Sequence, residues 1–120
     1  KYQGEVENYK ALKVQTAEKF EKRTRLDTTK NENSLLMDEL SLLDDDAVVY
    51  KKSGPILVKV ELEEAKTDVA NKIRIIEDQI KQIDTQIKNI ENKMKDKESK
   101  LQTMQQELQR QIALSQGGSK

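Results

Sequence analysis

The sequence contains no cysteine or histidine, one proline and four glycines, and aromatic residues make up only 3% of its 120 positions. Without cysteine it forms neither a disulfide framework nor a thiolate metal site, a composition typical of a reducing compartment. Without histidine it lacks the usual general base at neutral pH. The glycines are too dispersed to form a phosphate-binding loop. We therefore expect no enzyme activity, no cofactor and no metal.

Charge and hydropathy exclude further classes of partner. The 22 Lys and Arg residues balance 22 Asp and Glu residues, giving zero net charge, which argues against nucleic acid as a partner. No apolar run approaches bilayer-spanning length and no signal peptide is visible, so we expect no membrane association and a cytoplasmic location. Because the sequence opens on Lys1 rather than methionine, we also expect the natural N-terminus to lie upstream.

A regular apolar stripe dominates the second half of the chain. Only 34% of the residues are hydrophobic and 37% are charged, too few apolar residues for a compact globular core. The stripe alternates steps of four and three residues, the spacing of a coiled-coil seam. We therefore predict a C-terminal coiled-coil helix over residues 61–114 and a flexible tail over 115–120. The seam comprises Val69, Ile73, Ile76, Ile80, Ile83, Ile87, Ile90 and Met94.

Residues 1–43 are predicted to form an N-terminal coiled-coil helix with a weaker stripe. The apolar pattern that starts at Tyr2 loses its spacing before Leu26, which indicates a register slip near Arg23. Several seam positions of this helix are polar, so its middle should be its most loosely packed part. The first part of the stripe comprises Tyr2, Val6, Tyr9, Lys13, Thr16 and Phe20.

A β-hairpin is predicted between the helices, over residues 44–60. Asp44–Asp46 are predicted to end the first helix, since acidic side chains interact unfavourably with the dipole at a helix C-terminus. Ser53 and Gly54 supply the turn, and Pro55 follows as the first residue of the second strand. Both faces are apolar, and nothing else in the chain is available to cover them, so we expect other subunits to bury the hairpin. The candidate assembly residues are Val48, Val49, Tyr50, Ile56, Leu57 and Val58.

The predicted fold is therefore mainly α, a single domain in which a short hairpin joins a long antiparallel two-helix coiled coil. If the chain reverses at Ser53 and Gly54, residue i of the first helix lies roughly opposite residue 107 minus i of the second, which places Tyr2 near Met104. The paired part of the two helices is then about 60 Å long. The second helix overhangs the first by a few turns. Lys97 interrupts the seam, so we expect weaker packing beyond it.

The hairpin region resembles β-type prefoldin subunits. The resemblance rests on Leu42–Lys51, Gly54–Lys59 and Glu61–Ala65, and on Gln3–Glu7 of the first helix. It implies a hexamer of two α-type and four β-type subunits, whose hairpins join into an intersubunit β-barrel carrying six coiled coils. It also implies that the complex binds unfolded proteins, notably actin and tubulin, at the coiled-coil tips and delivers them to the cytosolic group II chaperonin without ATP.

The client-binding surface is predicted at the far end of the helix pair. Methionines, an unpaired helix end and frayed termini favour adaptable apolar contact. Seam packing is an equally good explanation of these residues, and the two roles are compatible. The candidate residues are Tyr2, Val6, Tyr9, Leu101, Met104, Leu108 and Ile112.

Two other functions fit parts of the sequence. A structural coiled-coil tether or scaffold would need only a polar loop between its helices, whereas this hairpin demands a partner sheet. A nucleic-acid-binding arm should carry a basic stripe, but the charges on these helices alternate in sign.

A metal site at Asp44–Asp46 lacks the spacing of known calcium loops, which favours a solvated connection.

Overall fold

The computed structural model describes residues 1–118 and contains two long helices and one two-stranded antiparallel sheet. This arrangement confirms the predicted helix, hairpin, helix fold. Within the described part of the chain, no helix is both long and apolar enough to cross a membrane. In chain order the elements are α1 (Tyr2–Ser41), β1 (Val49–Ser53), β2 (Ile56–Val60) and α2 (Leu62–Gly118).

The chain divides into two compact units that each contain parts of both helices. Unit 1 consists of Lys1–Glu21 and the part of α2 that begins at Asp84. Unit 2 consists of Lys22–Ile83 and therefore includes the hairpin.

Each helix begins one residue later than predicted, and the C-terminal ends of both differ further from the predictions. α1 stops at Ser41 rather than residue 43, because the amides of Leu42 and Leu43 bond to carbonyls three residues back, a tightening that ends the helix. α2 continues through Gly118, where a tail was predicted from residue 115. Glycine costs about 1 kcal/mol relative to alanine in a helix but keeps its backbone donor, so it does not force an end. Residues 119–120 of the predicted tail lie outside the described residues.

The apolar seam of α2 faces inward in both units. In unit 2 the side chains of Val69, Ile76, Ile80 and Ile83 are buried and Ile73 is half-buried. In unit 1 Ile87 and Ile90 are buried, whereas Met94 and Lys97 are half-buried. Branched apolar side chains at this spacing pack between the residues of a facing helix, which explains why α2 forms here.

Half of the inward positions of α1 carry polar side chains. Steps of three and four residues persist from Tyr2 to Leu40, so the predicted register slip near Arg23 is wrong. That prediction used the positions of apolar residues such as Phe20, which is exposed. The neighbouring Lys19 is half-buried instead. A long basic side chain can take an inward position because its alkyl stem can be buried while its charged end stays in water. The inward residues are Tyr2, Glu5, Tyr9, Leu12, Thr16 and Lys19 in unit 1, and Arg23, Leu26, Lys30, Asn33, Met37 and Leu40 in unit 2.

The antiparallel register matches the prediction in both units. Interhelical polar contacts join α1 and α2 residues whose two numbers sum to between 102 and 110, and three of these sums equal 107. The position of the turn therefore predicts which residues oppose each other to within about one or two helical turns. The contacts with a sum of 107 join Lys30 with Glu77 in unit 2, and Tyr9 with Glu98 and Tyr2 with Gln105 in unit 1.

A two-residue turn connects the strands. The ladder ends with Ser53 opposite Ile56, which leaves Gly54 and Pro55 in the loop. Gly54 has a φ of 59°, and proline fixes φ near −65°, the combination of a type II′ turn, whose twist matches that of the strands. Pro55 is thus the second turn residue, and its predicted place as the first residue of the second strand is wrong by one position.

The core of unit 2 joins the hairpin to the helices. Leu40, Leu62 and Val69 are buried together, and Val49 packs against them from the start of β1. The base of the hairpin is therefore covered by the chain's own helices, which corrects the expectation that only other subunits could cover it. Asp44 lies in the exposed connection, where its carbonyl accepts a hydrogen bond from the amide of Ala47 at 2.9 Å.

Candidate functional site

The hairpin exposes most of its apolar side chains. Of the six predicted assembly residues only Val49 is half-buried, by its contacts with the core of unit 2. Leu57 is 67% exposed, a high value for a large apolar side chain. The structure therefore leaves an apolar surface at the hairpin without cover among residues 1–118. The exposed assembly residues are Val48, Tyr50, Ile56, Leu57 and Val58.

The strand register assigns these residues to two faces. Directly paired residues of an antiparallel ladder lie on the same face, so Val49 and Val60 share the inner face, which packs towards the helices. The opposite face carries two pairs, which we call the outer face. The outer face consists of Tyr50 paired with Lys59 and Lys52 paired with Leu57.

A small cavity lies beside the inner face in unit 2. Its walls include Leu36 and Leu40 from α1, Val49 and Val60 from the strands, and Val69 from α2. The cavity therefore forms where the hairpin and both helices come together, next to the exposed apolar surface.

The predicted client-binding residues fall into two groups. Leu108 and Ile112 of α2 are 53% and 50% exposed; Leu108 continues the spacing of the seam, whereas Ile112 lies one position beyond the next seam position. The other five are half-buried between α1 and α2 in unit 1, so most of their apolar surface is already used in packing. The half-buried group consists of Tyr2, Val6, Tyr9, Leu101 and Met104.

An open groove joins the two groups in unit 1. Tyr2, Met104 and Leu108 supply its apolar wall, and Lys1 and Glu107 lie at its polar edge. An apolar groove with a charged rim is suited to contact with a flexible chain that carries both kinds of side chain.

A charged cluster that was not predicted from the sequence occupies the seam of unit 1. Glu5 Oε2 accepts a hydrogen bond from Lys97 Nζ at 2.8 Å, and Glu5 Oε1 accepts one from Lys100 Nζ at 3.1 Å. The Glu5 side chain is only 15% exposed. The hydrogen bond from Lys97, together with that from Lys100, holds the pKa of this carboxyl below its ordinary value.

This cluster changes the interpretation of Lys97. The lysine was expected to weaken the seam, but it has a carboxylate partner at an inward position of α1. The sequence contained a signal for this pair, because Glu5 follows Tyr2 by three residues and precedes Tyr9 by four. The prediction instead used the neighbouring apolar residue, Val6.

Two tyrosines add polar contacts between α1 and α2 in unit 1. The hydroxyl of Tyr9 donates a hydrogen bond to Glu98 Oε1, which raises the pKa of that hydroxyl above its ordinary value. The hydroxyl of Tyr2 accepts a hydrogen bond from Gln105 Nε2 at 2.8 Å. Both rings thus combine apolar packing with a polar contact to the facing helix.

Acidic side chains are spread over the described part of the chain rather than grouped around a metal position. Among residues 1–118 no group of three His, Cys, Asp or Glu side chains is arranged to hold a metal ion, and Asp44–Asp46 are exposed. The candidate functional features are therefore surfaces: the hairpin, and the end of the helix pair in unit 1.

Comparisons with known proteins agree with this architecture. A family model described as "Prefoldin subunit" matches residues 3–108. Over 76 residues the chain is 42% identical to the probable prefoldin subunit 6 of Drosophila melanogaster, covering 63% of this chain and 61% of the fly protein. Over 76 residues it is 41% identical to prefoldin subunit 6 of Homo sapiens, covering 63% of this chain and 59% of the human protein. The chain thus spans about three fifths of the length of these relatives.

A solved structure shares the fold. The crystal structure of the prefoldin beta subunit from Thermococcus strain KS-1 superposes with a TM-score of 0.82 at 24% identity, covering 86% of this chain and 90% of that one. The family match and the fold together confirm the resemblance recognised in the sequence.

Proposed function

Because this chain belongs to the prefoldin subunit family, we propose that it assembles with other α-type and β-type prefoldin subunits into a hexameric co-chaperone in the cytoplasm. The complex binds unfolded proteins such as actin and tubulin and delivers them to the group II chaperonin. It does so without ATP, and this chain contributes a binding surface rather than a catalytic group.

The exposed hairpin is the observation that carries this proposal. A two-stranded hairpin is marginally stable in water, and five of its apolar assembly residues are exposed. Since its inner face packs only at the base, other hairpins must complete the sheet and cover the remaining surface. Joining hairpins from several subunits into a β-barrel would also remove the free strand edges.

Native mass spectrometry tests the assembly directly. The full-length chain is tagged at its C-terminus and recovered from the cells that express it. A six-membered complex with other prefoldin-type chains is the expected result. A homodimer without such partners would overturn the proposal and favour the coiled-coil tether.

The end of the helix pair in unit 1 is the proposed client-binding surface. Leu108 and Ile112 expose half of their side chains, and the groove beside Leu108 is lined by Tyr2 and Met104. Unfolded proteins expose apolar segments, and contact with them removes apolar area from water on both sides. The half-buried residues hold the two helices together and thereby keep this surface in place.

Removing the exposed pair separates client binding from helix packing. We expect Leu108→Ser with Ile112→Ser, made in the full-length chain, to weaken suppression of aggregation of chemically unfolded actin. The matched control is Leu35→Ser with Ile75→Ser, which removes two residues of at least the same exposure from the helices of unit 2. Measurements without nucleotide test ATP independence at the same time. Unchanged suppression by the Leu108 and Ile112 variant would contradict the assignment.

A further inference from the structure

The outer face of the hairpin combines apolar and cationic side chains. Tyr50 is paired with Lys59, and Lys52 is paired with Leu57. All four side chains are exposed. The two lysines are diagonal neighbours on this face, and each has an apolar side chain directly opposite it. The outer face is therefore a mixed surface, on which positive charges lie between exposed apolar side chains.

The strands and turn of the hairpin carry only positive charge, although Asp44–Asp46 precede β1 and Glu61 follows β2. Residues 49–60 contain Lys51, Lys52 and Lys59 and no acidic residue, although the whole chain has zero net charge. Among residues 1–118 none of these three lysines forms an ion pair. Like charges that are diagonal on one face repel each other, and an approaching carboxylate would relieve that repulsion.

We propose that the outer face binds the hairpin of a different prefoldin-type subunit that presents carboxylates to Lys52 and Lys59. Apolar side chains of that partner cover Tyr50 and Leu57, and its carboxylates neutralise the lysines. This inference rests on the proposed assembly and specifies the chemistry of the partner at that surface. Complementary charge sets partner choice and accelerates association more than it adds affinity.

A second copy of this chain fits the same face poorly. Pairing two identical outer faces brings Lys52 and Lys59 close to the lysines of the other copy, and like charges in contact disfavour that complex. Lysines on exposed strands are also a common means of preventing sheets from associating with themselves. The same two residues therefore favour a hetero-oligomer and oppose a homo-oligomer.

Charge reversal tests this selectivity. The full-length chain, as wild type and as Lys52→Glu with Lys59→Glu, is mixed with the other five prefoldin subunits of the same organism, and hexamer formation is followed by native mass spectrometry. We expect wild-type assembly to weaken as NaCl rises from about 0.05 to about 0.5 M, because salt screens exposed charges. The reversed variant should assemble at least about tenfold more weakly.

Two further variants make the comparison specific. Lys10→Glu with Lys88→Glu imposes the same change in net charge at exposed helix positions and should assemble like wild type. Lys52→Gln with Lys59→Gln removes the attraction without adding repulsion, so it should fall between wild type and the reversed variant. This neutral variant also gives the answer if the charge reversal prevents folding.

The outcomes separate the two proposals. If wild type assembles and the reversed and neutral variants assemble equally well, charge selection is refuted and the proposed assembly stands. A wild-type homo-oligomer that the Lys52 and Lys59 substitutions disrupt would also refute it, because a second copy would then occupy the outer face. If wild type fails to join the other subunits, the proposed assembly fails and the selectivity with it.

Discussion

Lys97 Nζ lies 2.8 Å from Glu5 Oε2, and both side chains occupy inward positions between α1 and α2 in unit 1. Lys100 Nζ contacts the other carboxylate oxygen at 3.1 Å. Glu5 therefore provides a single acceptor group for two lysines of α2. Where the apolar seam of α2 is interrupted, a charged contact joins the helices instead, and its strength depends on the ionisation of one carboxyl group.

Acid is expected to loosen unit 1 through Glu5. Its pKa is lowered in the folded chain, so the unfolded state binds the proton more tightly. The stabilisation is therefore present above the ordinary pKa of glutamate and is lost as the pH falls through the lowered folded value. In urea titrations from neutral pH to about pH 3, wild type should lose more stability than Glu5→Gln.

Glu7→Gln is the matched control for this pH dependence. Glu7 lies on the same helix but is exposed, so its substitution should leave the pH profile close to that of wild type. Equal slopes for wild type and Glu5→Gln would show that the Glu5 contact does not contribute to stability.

Isoleucines of α2 should differ in their contribution to stability according to the face they occupy. Ile83 is 3% exposed, whereas Ile75 is 53% exposed on the same helix of unit 2. We expect Ile83→Ala to lower the free energy of unfolding by about 2–5 kcal/mol, and Ile75→Ala to change it by about 0.5 kcal/mol or less. Urea unfolding followed by circular dichroism measures both. Similar losses from the two variants would contradict the inward position of Ile83.

Two glycine-to-alanine substitutions should have opposite effects. Gly54 has a φ of 59°, a region in which an L residue is strained by roughly 1–2 kcal/mol. Gly54→Ala should therefore lower the stability of the folded chain by about that amount. No atom lies within 4 Å of the added Cβ at Gly54 or Gly4, so neither effect is a clash. Gly4→Ala, inside α1, should stabilise the chain by about 0.5–1 kcal/mol. Thermal unfolding distinguishes the two, and a stabilising Gly54→Ala would contradict the type II′ turn.

Leu57→Asp should prevent assembly without unfolding the chain. Leu57 is exposed, so the new carboxylate remains in water in the isolated subunit but is buried when another hairpin covers it. Val49→Asp should also damage the subunit, because Val49 packs against Leu40 and Val69. Native mass spectrometry measures assembly, and circular dichroism measures folding.

The control for the hairpin variant is Ile75→Asp, which adds the same charge at an exposed apolar position of α2. It should leave assembly intact. A normal hexamer containing Leu57→Asp would show that the outer face is not an assembly surface.

The sequence was sufficient to predict the features that depend on apolar spacing or turn position. The buried face of α2 follows from the positions of residues such as Ile76 and Ile83. The predicted position of Tyr2 near Met104, one residue from its partner Gln105, follows from the position of the turn. Both predictions succeeded because each depends on one local pattern.

The inward face of α1 was not predictable in the same way. Half-buried positions such as Lys19 and Arg23 carry charged side chains, and only the facing helix determines which of two adjacent residues lies inward. Glu5 was missed for that reason. The cover over Val49 was missed because it depends on packing between elements that are distant in sequence.

The mixed polar and apolar inward face of α1 has a consequence for synthesis on the ribosome. α1 leaves the ribosome before α2, and most of the stability of a helix in a protein comes from packing one face against a partner. Its first residues have their partners at the other end of the chain, since Tyr2 and Gln105 are 103 positions apart. The N-terminal part of α1 is therefore synthesised before its partner residues on α2, and α1 depends on translation of α2 before it becomes stable.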